Sequence, residues 1–275
     1  MILLPPELLE FDRVKLEALE ADTRAIYRRI LFSRAYSDDD LIGHYFASTQ
    51  DLRDLLSIKN AQMEAQTEEE ARDYLVHLKS SLGFIMDEIM HQRNFRRAVD
   101  LLHLLRIISP EAHAKHPNRF RGTLVQVGSH VCPPSEEIQG LIETFFDCLN
   151  RIRNPILRAI YAHHELVRIH PFSDGNGRVS RMAKNWILMY DLYPPVFIND
   201  AAEKQAYVAS LGASFGALAS RPNEFSGATR IFFEQEFERL RRSIQIVGQG
   251  VIQAIEGGVP AAARGLRQPG EAPGA

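Results

Sequence analysis

Twelve consecutive residues, His170-Pro171-Phe172-Ser173-Asp174-Gly175-Asn176-Gly177-Arg178-Val179-Ser180-Arg181, constrain this chain more than any other stretch. They place an imidazole, a carboxylate, two glycines and two guanidiniums side by side. An apolar pattern at helical spacing follows at once, through Val179, Met182, Trp186, Ile187 and Tyr190. The stretch therefore predicts a glycine-containing turn that runs into a helix N-terminus. Such an end is an anion site, because backbone N–H groups lack intrahelical partners there and the helix dipole favours negative charge. Glycines allow the positive φ and close backbone approach that such a turn needs.

The side chains fit a phosphate. Arg178 and Arg181 are three residues apart and share a helix face. Their planar forks match phosphate oxygens. Asp174 in a cationic loop would repel a phosphate unless a cation lay between, and Mg²⁺ is commonly held by one or two carboxylates plus phosphate oxygens. His170 is the natural general base near neutral pH. Taken singly, a histidine before proline or an Asn-Gly pair is an ordinary loop feature; the ordered set is harder to explain as surface.

The stretch matches HPFx(D/E)GNGRxxR at every specified position, and in this it resembles the signature of Fic-domain proteins. The resemblance implies a mainly α fold, a helical bundle with a short β-hairpin flap over the active site. It implies transfer of AMP from ATP to a Ser, Thr or Tyr hydroxyl of a target protein, with Mg²⁺ or Mn²⁺ as cofactor. His170 would be the catalytic base, and Asp174 the metal ligand. Gly175, Asn176, Gly177, Arg178, Val179, Ser180 and Arg181 would hold the nucleotide, and Phe172 would pack inward. Transfer of another nucleotide such as UMP, removal of AMP from a modified protein, and a catalytically silent helical interaction module are the competing readings.

The chain's 275 residues carry a net charge of −3, with 45% hydrophobic and 24% charged residues, so nothing points to a nucleic-acid or membrane-surface partner. The start lacks a signal-peptide pattern and no apolar run reaches membrane length, so a cytoplasmic location is expected, with export as an effector left open. Cys132 and Cys148 read as free thiols. Helices are expected over 6–34, 38–56, 67–90 and 95–108, then a break at Ser109-Pro110. Thr67-Glu68-Glu69-Glu70 reads as a capping box, Ser135-Glu136-Glu137 as the cap of a helix to Asn150, and Asn154-Pro155 as a cap with proline at N1 for a helix over 155–169. His164-Glu165-Leu166-Val167-Arg168 lacks the second histidine of a zinc motif, since that position is Arg168.

Arg119-Phe120-Arg121-Gly122 precedes a β-prone run, Thr123 to Gly128. With Val131-Cys132-Pro133-Pro134 it resembles the family's flap, so a target protein would dock on 123–131, with Val125, Gln126, Val127 and Gly128 near the nucleotide. The helix from about Ala201 would line the base pocket through Tyr207 and Ser214, although the family's paired tyrosine is Ala206 here and its later asparagine is Ser214. The family's inhibitory glutamate would fall at Ala61 within Ser57–Gln62, which implies an absent or degenerate restraint. A last helix is expected over 229–247. The resulting division is a helical region 1–56, a Fic domain 57–220, a C-terminal helix 221–250 and a disordered tail 251–275. A homodimer is left open.

Overall fold

The structure, a computed structural model, describes residues 1–9, 11, 13–32, 65 and 67–256. The helix expected over 38–56, the Ser57–Gln62 segment and residues 257–275 lie outside the described residues. The described chain is mainly helical: α1 (Arg13–Phe32), α2 (Glu68–Met90), α3 (Ala98–Ile108), α4 (Pro110–Lys115), α5 (Ile138–Arg151), α6 (Pro155–Ile169), α7 (Asn176–Tyr190), α8 (Ala201–Ser220) and α9 (Gly227–Glu256). Two short strands, β1 (Gln126–Val127) and β2 (His130–Val131), pair antiparallel with Gln126 opposite Val131.

The caps legible in the sequence set several ends. The Thr67 side chain accepts the Glu70 N–H at 3.1 Å and starts α2. Asn154 accepts the Leu157 N–H at 3.0 Å, and Pro155 takes N1 of α6. Asp200, a cap not among those expected, accepts the Glu203 N–H at 2.8 Å at the head of α8.

Other ends differ from expectation. Residues 1–9 are extended, apart from a 3-10 turn at Pro6–Leu8, and α1 begins only at Arg13. The extended conformation is held from outside: the Tyr161 hydroxyl donates to the Leu4 carbonyl at 3.0 Å, Arg168 donates to the Ile2 carbonyl at 2.7 Å, and Leu4 N–H reaches Glu165 at 3.3 Å. Helix α3 starts at Ala98 because the Asp100 carboxylate takes the N–H groups of both Arg96 and Arg97 at 2.9 Å. Helix α3 ends at Ile108, at the expected break, but Pro110 then opens the short helix α4 from its N1 position. Residues 135–137 form a 3-10 turn with no side-chain cap before α5. Helix α9 runs to Glu256, through the first residues of the expected tail, because Gln253, Ala254 and Glu256 are good helix formers and Gly248 and Gly250 cost only about 1 kcal/mol each.

Among the described residues one hydrophobic core takes side chains from Leu3 to Val247. At its centre α6 and α7 pack side by side more extensively than any other pair of elements. From Ala159 to Ile169 α6 is buried on all faces, and α7 is buried from Val179 to Met189. The loop joining these two helices, residues 170–175, therefore stands on the most extensively packed pair of helices among the described residues.

Candidate active site

His170 caps the C-terminus of α6 in the left-handed region, φ +54°. That sharp turn lifts the imidazole out of the helix, where it is partly exposed while its neighbours Pro171 and Phe172 are buried. The ring Nδ1 lies 3.2 Å from the Val167 carbonyl. A carbonyl can only accept, so Nδ1 carries the proton and Nε2 keeps a lone pair. Burial pushes the imidazole below its ordinary range, outweighing the Val167 contact that raises it, so the neutral ring persists through neutral pH.

The turn is built from its own side chains. Asn176 accepts the Phe172 N–H at 2.9 Å and donates to the Phe172 carbonyl at 2.8 Å, closing the loop on itself. Phe172 packs inward against Phe120, ring centres 5.8 Å apart. Asp174 accepts the Gly175 N–H at 2.6 Å and leaves its carboxylate otherwise outward. Gly175, φ +78°, is the N-cap of α7. The intrahelical ladder opens with Val179 N–H to Gly175 at 2.9 Å, so the N–H groups of Asn176, Gly177 and Arg178 precede it at the helix mouth. A Cβ at Gly177 would stand 3.2 Å from Arg181 Nη1; the glycine lets that guanidinium lie against the first turn. Arg178 turns toward α4, 2.8 Å from Glu111 and 3.8 Å from Asp174, with its guanidinium 5.7 Å over the Tyr74 ring.

The remaining sequence-derived residues divide. Val179 and Ser180 face the interior, the Ser180 hydroxyl donating to Gly177 at 3.0 Å, so only their backbone belongs to the turn. Gln126 and Val127 form β1, with Val125 just before it and Gly128 in the turn after it; the two valines are half-buried, and the exposed Gln126 donates to the Gly128 carbonyl at 2.7 Å. Tyr207 and Ser214 do not line an open pocket. Tyr207 Oη is 3.0 Å from His163 Nε2, Ser214 Oγ is 2.8 Å from His164 Nε2, and both hydroxyls sit among α6, α8 and α9. The residue types are those a pocket would use, but α6 offers buried imidazoles that need partners.

The sequence reading missed three contributors. Glu111 bonds Arg178. His130 Nε2 lies 3.0 Å from the Arg168 carbonyl and joins β2 to α6. Arg121 donates to the His170 carbonyl at the start of the turn and to the Pro133 carbonyl beyond β2. Their partners are 38 to 67 positions away or are main-chain atoms, and no periodicity signals either.

A second polar cluster lies beneath the site. Lys184 and Arg239 both bond Glu236, at 2.6 and 2.7 Å, and His163 is 3.6 Å from it. Burial, then the Lys184 charge, pushes His163 down to about 3. Burial alone would raise Glu165, but Arg168 and His164 outweigh it and hold the carboxyl at about 2. Both folded-state values lie below the unfolded ones, so the unfolded chain binds more protons as pH falls. Stability is therefore expected to be full above about pH 6.5 and to decline below it, by roughly 2 kcal/mol at pH 5 for one such histidine. Denaturant midpoints measured at stepped pH check this; a flat profile from neutrality to pH 5 would contradict it.

The family model described as Fic/DOC family matches residues 20–188, well over half of the chain. The chain belongs to the Fic/DOC family. The match takes in the whole His170–Arg181 turn and ends before Tyr207 and Ser214. Among curated Fic relatives, the "Protein adenylyltransferase Fic" of Culex quinquefasciatus is 30% identical over 194 residues, 69% of this chain and 38% of that protein. Its namesake in Drosophila grimshawi is 39% identical over 112 residues, 39% of this chain and 23% of that protein. This Fic chain thus spans well under half the length of these relatives. A Fic-domain-containing signalling protein from Bacteroides thetaiotaomicron superposes with TM-score 0.61 at 18% identity, covering 88% of this chain and 98% of that one. A fragment of Fic-1 from C. elegans gives 0.64 at 20% identity, over 90% and 74%. At these identities the two structures establish the Fic fold.

Proposed function

We propose that this chain is a nucleotidyltransferase that moves AMP from ATP onto a hydroxyl of a protein. The observation that carries the reading is the pairing of a neutral imidazole, its Nε2 lone pair open, with a helix mouth flanked by two arginines. In the proposed reaction His170 Nε2 takes the proton of a Ser, Thr or Tyr hydroxyl. The oxygen forms a bond to the α-phosphorus, the bond from that phosphorus to its bridging oxygen breaks, and pyrophosphate leaves. The amides at the mouth of α7 and the guanidiniums of Arg178 and Arg181 offset the phosphate charge. The curated relatives named as protein adenylyltransferases support this choice of reaction.

Among the described residues no group of three His, Cys, Asp or Glu side chains converges as a metal cage. The exposed carboxylate of Asp174 is therefore suited to an ion whose other oxygens come from the substrate, which fits Mg²⁺. Bound there, Mg²⁺ would neutralise phosphate charge. The exposed strand pair 126–131 is the surface on which an acceptor segment would lie as an added strand. Because Tyr207 and Ser214 are engaged in the interior, the base is not specified by their side chains, and UMP transfer is the second reading. Incubation with labelled ATP, UTP, GTP and CTP, with and without Mg²⁺, tests both; no Mg²⁺-dependent label on any protein, with this chain's His170 intact, would refute them.

Glu111 bears on nucleotide affinity. It accepts from Ser109 at 2.6 Å and holds Arg178 at 2.8 Å, the guanidinium a phosphate would claim. Burial raises its carboxyl, but the Ser109 hydroxyl and then Arg178 bring it below its ordinary range, so it stays charged. Glu111→Gln removes a competing anion and is expected to lower the nucleotide KM about two- to fivefold, the factor matching ~0.5–1 kcal/mol for a half-exposed ion pair. Unchanged or raised KM would show that Glu111 orients Arg178 rather than competing for it.

A further inference from the structure

Arg121 is almost fully buried, with 2% of its surface exposed, yet it lies on a loop. Its Nε–H donates to the His170 carbonyl at 2.7 Å, Nη1 to Thr123 at 2.6 Å, and Nη2 to Pro133 at 2.6 Å and Ile169 at 3.4 Å. Its backbone N–H donates to the Pro171 carbonyl at 2.8 Å. These partners are all carbonyl oxygens. Two of them, Thr123 and Pro133, bracket the segment that carries β1 and β2. The others belong to the end of α6 and the turn after it. A guanidinium is suited to this, since it presents five donors in a fixed plane and stays charged when buried. The negative end of the α6 dipole, at the Ile169 carbonyl, favours the cation further. His130 makes a second tie from β2 to α6, and the Cys132 N–H donates to the Val125 carbonyl at 3.0 Å, closing the strand segment above Arg121.

We infer that Arg121 is a positioning residue that fastens the strand pair to the backbone of His170, so that the two move as one body. Taking the nucleotide-transfer reading above, an acceptor segment lying along the strands would then meet the imidazole at a fixed distance. Lysine cannot reproduce this, because one ammonium cannot reach both bracketing carbonyls and the His170 carbonyl in a single plane. The nucleotide grip is built on α7 by other residues and does not depend on it.

Two measurements on the full chain test the inference, and neither needs a known target. In the unaltered protein, native-state hydrogen exchange of the Arg121 N–H and the Cys132 N–H is expected to report one shared opening event. Exchange at Cys132 more than about tenfold faster than at Arg121, after correction for intrinsic rates, would overturn the coupling. In Arg121→Lys, protection at Cys132 is expected to fall and the imidazole resonances of His170 to shift, and the thermal midpoint to drop by several degrees because buried carbonyls lose their donor. Self-labelling from labelled ATP is expected to slow about 100-fold at saturating nucleotide, the cost of a misplaced reacting group, with nucleotide KM within about twofold. Parent-like exchange and unchanged His170 resonances in the lysine variant would refute the role. If the parent itself transfers no label, the function proposed above fails while the exchange and resonance results still decide this one. Should Arg121→Lys not fold, the exchange comparison in the parent stands alone.

Discussion

His170→Ala and His170→Asn are both expected to slow nucleotide transfer by about 10²- to 10⁴-fold, the range for loss of a positioned general base. Asparagine is the more telling replacement. The backbone of His170 is left-handed, φ +54°, and asparagine tolerates that region where alanine does not. Equal losses in the two variants would assign the effect to the missing imidazole; a loss confined to alanine would assign it to the collapsed turn. Nucleotide binding is expected to stay within about twofold in the asparagine variant, because the base contributes to the transition state and not to the phosphate grip. The pH profile supplies the second check. Burial lowers the His170 imidazole below its ordinary range, and the active form is the neutral one. The rate constant should therefore be level through neutrality and fall on the acid side, with its midpoint below about 6.5. A rate that falls on the alkaline side instead would mean that the charged ring is the active form and acts as an acid.

What the sequence disclosed, and what it hid, follows from the range over which each feature is determined. The 170–181 turn was legible because its parts are contiguous: Asn176 closes on Phe172 four residues back, and Asp174 bonds the next residue. Caps such as Asn154 and Asp200 act within one helical turn, and they were legible or fell where a helix was expected for the same reason. The helix expected from residue 6 starts at Arg13, behind a 3-10 turn at Pro6–Leu8, and the partners that hold Ile2 and Leu4 ahead of it, Tyr161, Glu165 and Arg168, stand more than 150 positions away, beyond any local signal. Helix α7 looked amphipathic by its apolar spacing, but Lys184 is as buried as Trp186 because Glu236, on α9, neutralises it. Nothing local in the sequence signals that His163 and His164 claim the hydroxyls of Tyr207 and Ser214, so the interior position of these two residues is not legible there. Family resemblance pointed to the 170–181 turn, while the polar pairings beneath it join residues tens of positions apart.

The turn's dependence on one missing side chain gives the largest stability effect. Gly175→Ala is expected to destabilise the fold by about 2–4 kcal/mol, combining ~1–2 kcal/mol for a left-handed non-glycine residue with ~1–2 kcal/mol for overpacking. The steric part is specific: the new Cβ would meet Ser109 Oγ at 2.7 Å, Ser109 Cβ at 2.8 Å and Leu105 Cδ1 at 3.2 Å. A hydroxyl can rotate away, but the Ser109 Cβ is fixed to a buried backbone between α3 and α4 and cannot. A fall in Tm of roughly 5–15 °C is expected for a chain of this size. Nucleotide transfer should fall even below the melting range, since any retreat of residue 175 drags the α7 mouth away from His170 and disturbs the Ser109–Glu111 bond behind Arg178. The two causes separate in a double-mutant cycle. Ser109→Gly makes room without changing φ at 175, so it should recover about 1–2 kcal/mol of the loss, leaving the backbone cost in place. If the two substitutions prove additive, no clash exists between these segments, and the loop is held by its left-handed glycine alone.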